Sequence, residues 1–454
     1  MFHLQIKEFL ENICNQIKYK PIRNEILEEL KNHIEEQKEN YIYEGMEETK
    51  AEEKAINQMG DAEEIGKRLN KIHKPKLDWK LLLSIIIMLC FGFLVVITRV
   101  SSGVTIGYEM DGFTKYIIIL TVGLICSIFI YFLDYRKILK YSNILYIIAS
   151  ISIIYSLISG TMVNGMPYLD LKIITLSPTL IAIPLYIIAF VGFIQSINKE
   201  SNIKIKILKE NNININIIKI IILALISILL FAIIPSKASG FIVGVVYLII
   251  STVKLLQLKQ NKKRYILMLW GVPIILGVLL VILYVGLRGS NYILDRVIVS
   301  FQPEKDPAGG GWIGMNQNLI INSAQIFGKA EDTSNALQMF DEGTNYAFIS
   351  ILAHYGWGIS ILMVLSIILL SMRLIINAIK IKDVYGKLLI IGIASVFILQ
   401  SILNLLMNLN LGIKADFNIP LISYGGSNLV INMMCLALVL SIYRRKDIIC
   451  LKTL

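Results

Sequence analysis

Ten apolar stretches, each long enough to cross about 30 Å of hydrocarbon, begin near Leu81, Tyr116, Ile144, Leu180, Ile215, Phe241, Tyr265, Ala347, Leu388 and Ser427. Inside a bilayer no water is available to backbone N–H and C=O groups, so such segments must satisfy themselves as helices. The chain is therefore expected to be an all-α, polytopic membrane protein of about ten transmembrane helices. Composition agrees: 55% of the residues are hydrophobic, 17% are charged, and the mean hydropathy is +0.66.

The formal charge of +11 raises the question of nucleic acid, and the placement of the charges answers it. Residues 1–78 carry 13 Lys+Arg and 17 Asp+Glu, a balance of −4, so the remainder carries +15. That excess lies between apolar segments, where membrane topology accounts for it. With the N-terminus inside, the cytoplasmic loops and tail hold 19 Lys+Arg against 9 in the longer outer loops. This positive-inside bias predicts a multi-pass membrane protein with both termini cytoplasmic, in contact with membrane lipids and with no nucleic-acid partner.

Ahead of the first apolar run, with no signal peptide before it, residues 1–76 read as a cytoplasmic helical domain. Ile22, Ile26, Leu30 and Ile34 recur at four-residue spacing with charges between them, the mark of an amphipathic helix. Breaks at Pro21, Gly45 and "MGDAEEIGKRL" divide it into three or four helices, with Asp61 as a cap and Glu64 completing a capping box. The run "EILEELKNHIEEQ" with "EGMEETKAEEKAINQMGDAEEIGKRL" resembles the permease prefix domain of bacterial membrane proteins, which implies an interaction or sensing accessory. Residues 80–447 form the membrane domain.

One outer loop, 288–346, is several times longer than the rest, and a connection of that length in a compact bundle is usually functional. It holds seven carboxylates, including Asp306, Asp341 and Glu342, and the cations Arg288, Arg296, Lys305 and Lys329. Its aliphatic stretch "NLIINSAQIF" points to re-entrant or interfacial helices that fold back on the bundle. The glycines of "AGGGWIG" suit either a packed turn or close approach to a ligand. Arg296 and Arg288 suit either interface anchoring or phosphate. His354, inside the eighth apolar run, is either a functional group or a helix-to-helix hydrogen-bonding one. "IPLISYGGS" (419–427) reads as a helix-entry turn with Ser427 as cap. No HExxH, GxSxG or P-loop pattern is present, which argues against metalloprotease, serine hydrolase and NTP-driven transport. The five cysteines lack metal or redox spacing and read as structural thiols. No cofactor is identified, and a divalent cation is left open.

"RVIVSFQPEKDPAGGGW", then "FGK", then "FDEGTNYAF" is similar to the large external loop of the SEDS family (shape, elongation, division and sporulation), which includes FtsW, RodA and SpoVE. Arg296, Phe301, Pro303, Asp306, Pro307, Gly311, Trp312, Gly328, Lys329, Asp341 and Thr344 fall in register with that family's motifs. "PLISYGGS" matches its Pro-Phe-Ile-Ser-Tyr-Gly-Gly-Ser apart from Leu421. The resemblance implies a SEDS-like bundle and a peptidoglycan glycosyltransferase. Such an enzyme polymerises lipid II, or another undecaprenyl-linked precursor, with a class B penicillin-binding protein, in cell division, cell shape or sporulation.

The resemblance also implies the site. Arg296, Asp306, Lys329, Ser423, Tyr424 and Gly425 would bind substrate, and the segment containing Asp341, Glu342, Thr344 and Asn345 would carry catalysis. Where the family has the acid of a Thr-Asp-Phe unit, this chain has Asn345, and a neutral amide cannot accept the proton of an attacking hydroxyl. Leu180, Ser236 and the pair Ala353 and His354 replace other family acids. An active version needs Asp341 or Glu342 as base. The alternatives are a non-catalytic protein that binds a lipid precursor or a partner, and a flippase of lipid-linked sugar.

Overall fold

The computed structural model describes residues 3–19, 23–72, 74, 76–101, 112–163, 166–170, 175–204, 215–234, 236–257, 262–288, 292–330, 345–412 and 414–446. They group into two compact units. One holds the described residues of 1–78 with those from Ile442 onward, and the other holds 79–441.

The first unit contains four helices, α1 (His3–Gln16), α2 (Arg23–Tyr43), α3 (Glu48–Met59) and α4 (Ala62–Ile72). The four-residue periodicity predicts its interior. Ile26 and Ile34 are buried, Ile26 with Ile13 and Ile17, Ile34 with Ile6, Leu10 and Ala55, while Leu30 bridges both groups. Ile22 lies outside the described residues. Asp61 accepts the Glu64 N–H at 3.0 Å as a helix cap should. The expected reciprocal bond is replaced by a Glu64–Arg68 ion pair along the helix. Glu52 is buried and held by Lys38 Nζ at 3.3 Å.

In the second unit a helix stands at each of the ten expected positions: α5 (Trp79–Ser101), α6 (Gly112–Phe132), α8 (Ser142–Ser159), α9 (Pro178–Lys204), α10 (Ile215–Ile233), α11 (Lys237–Leu256), α12 (Lys262–Arg288), α15 (Ala347–Lys380), α16 (Val384–Asn408) and α17 (Gly426–Arg444). Among the described residues, eight helical spans are long and apolar enough to cross a membrane. The other two positions are α10, whose apolar part runs Ile218–Ile233, and α12, which is 27 residues long. The protein is a multi-pass membrane protein. Before α8 a four-residue helix, α7 (Tyr135–Ile138), is capped by Asp134. Tyr135 donates to Asp383 Oδ2 at 2.9 Å, and Asp383 in turn caps α16 by accepting from the Gly386 N–H.

Two features depart from a plain helical bundle. The connection after α8 contains a small antiparallel sheet, β1 (Thr161–Val163), β2 (Met166–Asp170) and β3 (Thr175–Leu176), in the order β1-β2-β3. The long connection 288–346 contains α13 (Tyr292–Phe301) and α14 (Trp312–Ser323), and α14 packs against the bundle through the buried Gly314, Gln317 and Ile320. Folding back was expected. The segment after Ser323 is extended rather than helical, and it lies along α15.

Candidate functional site

Asn345 immediately precedes Tyr346 and α15. Its backbone carbonyl accepts two side-chain amides of α16, Asn404 Nδ2 at 2.8 Å and Asn408 Nδ2 at 3.0 Å. Asn404 also donates to Phe417 O at 2.5 Å, and Asn408 Nδ2 lies 2.9 Å from Asn404 Oδ1. The remaining acceptor of Asn408, Oδ1, takes the Ile349 N–H at 3.3 Å. That bond closes the first turn of α15, whose N-cap residue Tyr346 supplies no side-chain cap. Helix N-termini need such an acceptor, and here it comes from a different helix. Asn404 and Asn408 are fully buried. With its backbone fixed in this way, Asn345 keeps a buried Oδ1 that has no hydrogen-bond partner among the described residues. Buried acceptors are almost always satisfied, which sets this oxygen apart from the other amide groups of the cluster.

Beside this cluster a second polar group joins α14 to the end of α16. Gln317 Nε2 donates to Met407 O at 3.2 Å. Lys414 Nζ donates to Met407 O at 3.1 Å, to Asn410 Oδ1 at 2.6 Å and to Gln317 Oε1. Asn410, at φ 59°, donates to Asn318 Oδ1 at 3.1 Å. Lys414 thus neutralises orphan carbonyls at the negative end of α16. Burial pulls its ammonium down to about 8.

The 419–427 turn forms one wall. Ser423 is buried, its Oγ accepts the Ile419 N–H at 2.8 Å and its N–H donates to Ile419 O at 3.0 Å, so its polar atoms close the turn. Leu421 sits at φ 65°, a strained setting for a residue with a Cβ. Helix α5 presses on this turn at Gly92, where a Cβ would stand 2.5 Å from Leu421 O. Only glycine allows that approach. Tyr424 lies under the buried guanidinium of Arg99, 4.7 Å from its ring centroid. Burial pushes the Tyr424 phenol up, and Arg99 partly offsets it. Gly425 accepts the Leu429 N–H at 3.0 Å. The expectation that Ser427 caps α17 does not hold: the helix starts at Gly426, and Ser427 Oγ instead accepts the Ser177 N–H at 3.3 Å, just ahead of α9.

The other expected residues are placed as follows. Asp306 accepts the Gly309 N–H at 3.1 Å and the Gly310 N–H at 2.7 Å, and its carbonyl takes the Gly311 N–H at 2.9 Å. "AGGG" is therefore a turn wound around that carboxylate. Lys329 is exposed, between Gly328 and Ala330, whose N–H groups donate to Tyr355 O and Ala353 O of α15. Arg296 lies on α13, its side chain outside the described set. Asp341, Glu342 and Thr344 also lie outside the described residues. His354 Nδ1 lies 2.9 Å from Ser350 O of its own helix. Among the described residues no cluster of His, Cys, Asp or Glu could hold a metal ion. Leu180 lines a small cleft with Gln400, Asn428 and Asn432.

Asn404, Asn408, Gln317, Lys414 and Arg99 were not singled out from sequence. A usable signal exists for the first two: amides four residues apart inside an apolar run share a helix face, and polar groups in a span are expensive unless they serve something.

A family model described as cell cycle protein, FtsW/RodA/SpoVE, matches residues 79–448. The chain belongs to this family. Among curated relatives it is 26% identical over 155 residues to a probable peptidoglycan glycosyltransferase FtsW of Trichlorobacter lovleyi, a match over 34% of this chain and 41% of that one. It is 26% identical over 162 residues to the peptidoglycan glycosyltransferase MrdB of Escherichia coli, over 35% of this chain and 44% of that one. The chain thus spans less than half the length of these relatives. Two solved structures share the fold across 82% of this chain. A chain from a peptidoglycan synthase complex, described as coordinating polymerization and crosslinking, is covered to 98% with a TM-score of 0.65 at 20% identity. The rod shape determining protein RodA of Thermus thermophilus is covered to 97% with a TM-score of 0.55 at 17% identity. The FtsW/RodA/SpoVE domain of this chain thus holds the amide cluster at the start of α15.

Proposed function

We propose that this FtsW/RodA/SpoVE protein acts in bacterial peptidoglycan synthesis as a glycosyltransferase on lipid II or another undecaprenyl-linked sugar. It works on the outer face of the plasma membrane, with both termini in the cytoplasm and a class B penicillin-binding protein as partner. The observation that carries this reading is Asn345, whose carbonyl is fixed by Asn404 and Asn408 while its buried Oδ1 waits for a donor. A sugar hydroxyl is such a donor. The amide orients that hydroxyl and cannot remove its proton, so the base comes from Asp341 or Glu342, three or four residues upstream. Residues 1–76 serve as a cytoplasmic accessory domain.

The same amide favours a second reading, a protein that binds the lipid-linked sugar without polymerising it. Purified protein given labelled lipid II, with and without its partner, separates the two. Polymer from the wild type that is lost in the Asp341→Ala, Glu342→Ala double variant supports the enzyme. No polymer in any condition, with polymer gained by Asn345→Asp, supports the binder. Flipping of lipid-linked sugar in sealed vesicles without polymer would overturn both.

A further inference from the structure

Helix α15 is broken. Gly356, ten residues from its outer end, has φ 81° and ψ −176°, a conformation that leaves helical N–H groups and carbonyls on either side without partners. The extended segment after α14 supplies replacements. Trp357 N–H donates to Gln325 O at 3.0 Å, and Gly358 N–H to Ile326 O at 2.8 Å. On the other side of the break, Ala330 N–H donates to Ala353 O at 2.8 Å, and Gly328 N–H to Tyr355 O at 3.3 Å. The segment fits against the break so closely that a Cβ at Gly356 would stand 2.5 Å from Gln325 O. Phe327 covers Gly358.

This ladder fixes the position of Lys329, between two of its rungs. Lys329 is exposed, and no carboxylate among the described residues pairs with it. Ala353, opposite Ala330, is six residues, about 9 Å, along the helix from Ala347.

We propose that Gly356 is a positioning residue: the break it permits anchors Gln325–Ala330 and holds the Lys329 ammonium where the diphosphate of a lipid-linked sugar lies. This rests on the function proposed above. Two measurements on the full chain in phosphatidylcholine nanodiscs test it. In hydrogen exchange, the amides of Gly328 and Ala330 should be protected in the wild type and in Lys329→Gln. That protection should be lost at both amides in Gly356→Ala, and at Ala330 in Gly328→Pro, which removes the residue-328 N–H and alters only the exposed segment, where φ is 102°. Undecaprenyl diphosphate should bind the wild type and Lys329→Arg alike, and bind Lys329→Gln, Gly356→Ala and Gly328→Pro at least about tenfold more weakly, as loss of one charge-assisted phosphate contact predicts.

Unprotected wild-type amides, unweakened binding in Lys329→Gln, or normal binding in a variant that has lost protection would overturn the proposal. Equal competition by phosphatidylglycerol would assign Lys329 to bulk phospholipid and overturn the lipid-linked class. A protected wild type that binds no diphosphate overturns the proposed function itself, and is told apart because the variants then have no binding to lose.

Discussion

Replacing Asn408 with leucine, close to it in shape, tests whether the amide cluster holds the mouth of the bundle together. Asn408 lies fully buried, and its Oδ1 takes the Ile349 N–H while its Nδ2 supports the Asn345 carbonyl and the Asn404 amide. Leucine removes the borrowed helix cap, worth about 1 kcal/mol, and strands a buried N–H at a cost of about 1–3 kcal/mol. Polar contacts in membranes average only about 0.6 kcal/mol, because the unfolded chain in lipid also finds partners. Since several bonds go at once, Asn408→Leu should cost about 2 kcal/mol. The assay is reversible unfolding of purified protein in mixed micelles titrated with a denaturing detergent. Asn404→Leu should be similarly costly. Because both residues bond Asn345 O and each other, the double variant should fall short of the sum by about 1 kcal/mol. A cost below about 0.5 kcal/mol for Asn408→Leu, additive with Asn404→Leu, would refute the reasoning.

Two further outcomes follow from the same geometry. Gly92→Ala places a methyl group 2.5 Å from Leu421 O, and overpacking of this kind should cost about 1–3 kcal/mol; a neutral result in the same unfolding assay would mean that α5 and the 419–425 turn are not tightly packed. Lys414, pulled down to about 8 from 10.5 by burial, sheds its proton in the folded state before the unfolded chain does. Between pH 8 and 10.5 the unfolded state therefore binds more protons, so this lysine's contribution makes stability rise with pH through that window, and the penalty for burying its charge persists below it. Unfolding of the wild type and Lys414→Met between pH 7 and 10 should diverge accordingly, and parallel curves would show that its three oxygen partners cancel the burial effect.

Several parts of this arrangement were legible in the sequence. Apolar length set the ten helices, and four-residue spacing identified Ile26, Leu30 and Ile34 as interior positions of α2. The out-of-scale loop 288–346 with its aliphatic stretch indicated that it folds back, as α14 does. Residues in motif order pointed to the family and singled out Asn345. Asp306 was legible as important, while its service to the glycine turn was not, because a carboxylate beside glycines suits a ligand or a backbone equally well.

What the sequence by itself determined was local: which segments are helical and apolar, and where charge sits, since periodicity and hydropathy act over a few residues. Tertiary structure alone decided which groups meet. Asn404 and Asn408 reach Asn345 from 59 and 63 residues away, and Lys414 reaches Gln317 across 97. Those pairings depend on the rotation and axial offset of packed helices, which no stretch of sequence encodes alone. The break at Gly356 is the same case: glycine permits a continuous helix and a broken one, and the Gln325–Ala330 backbone, by replacing the lost hydrogen bonds, selects the broken form.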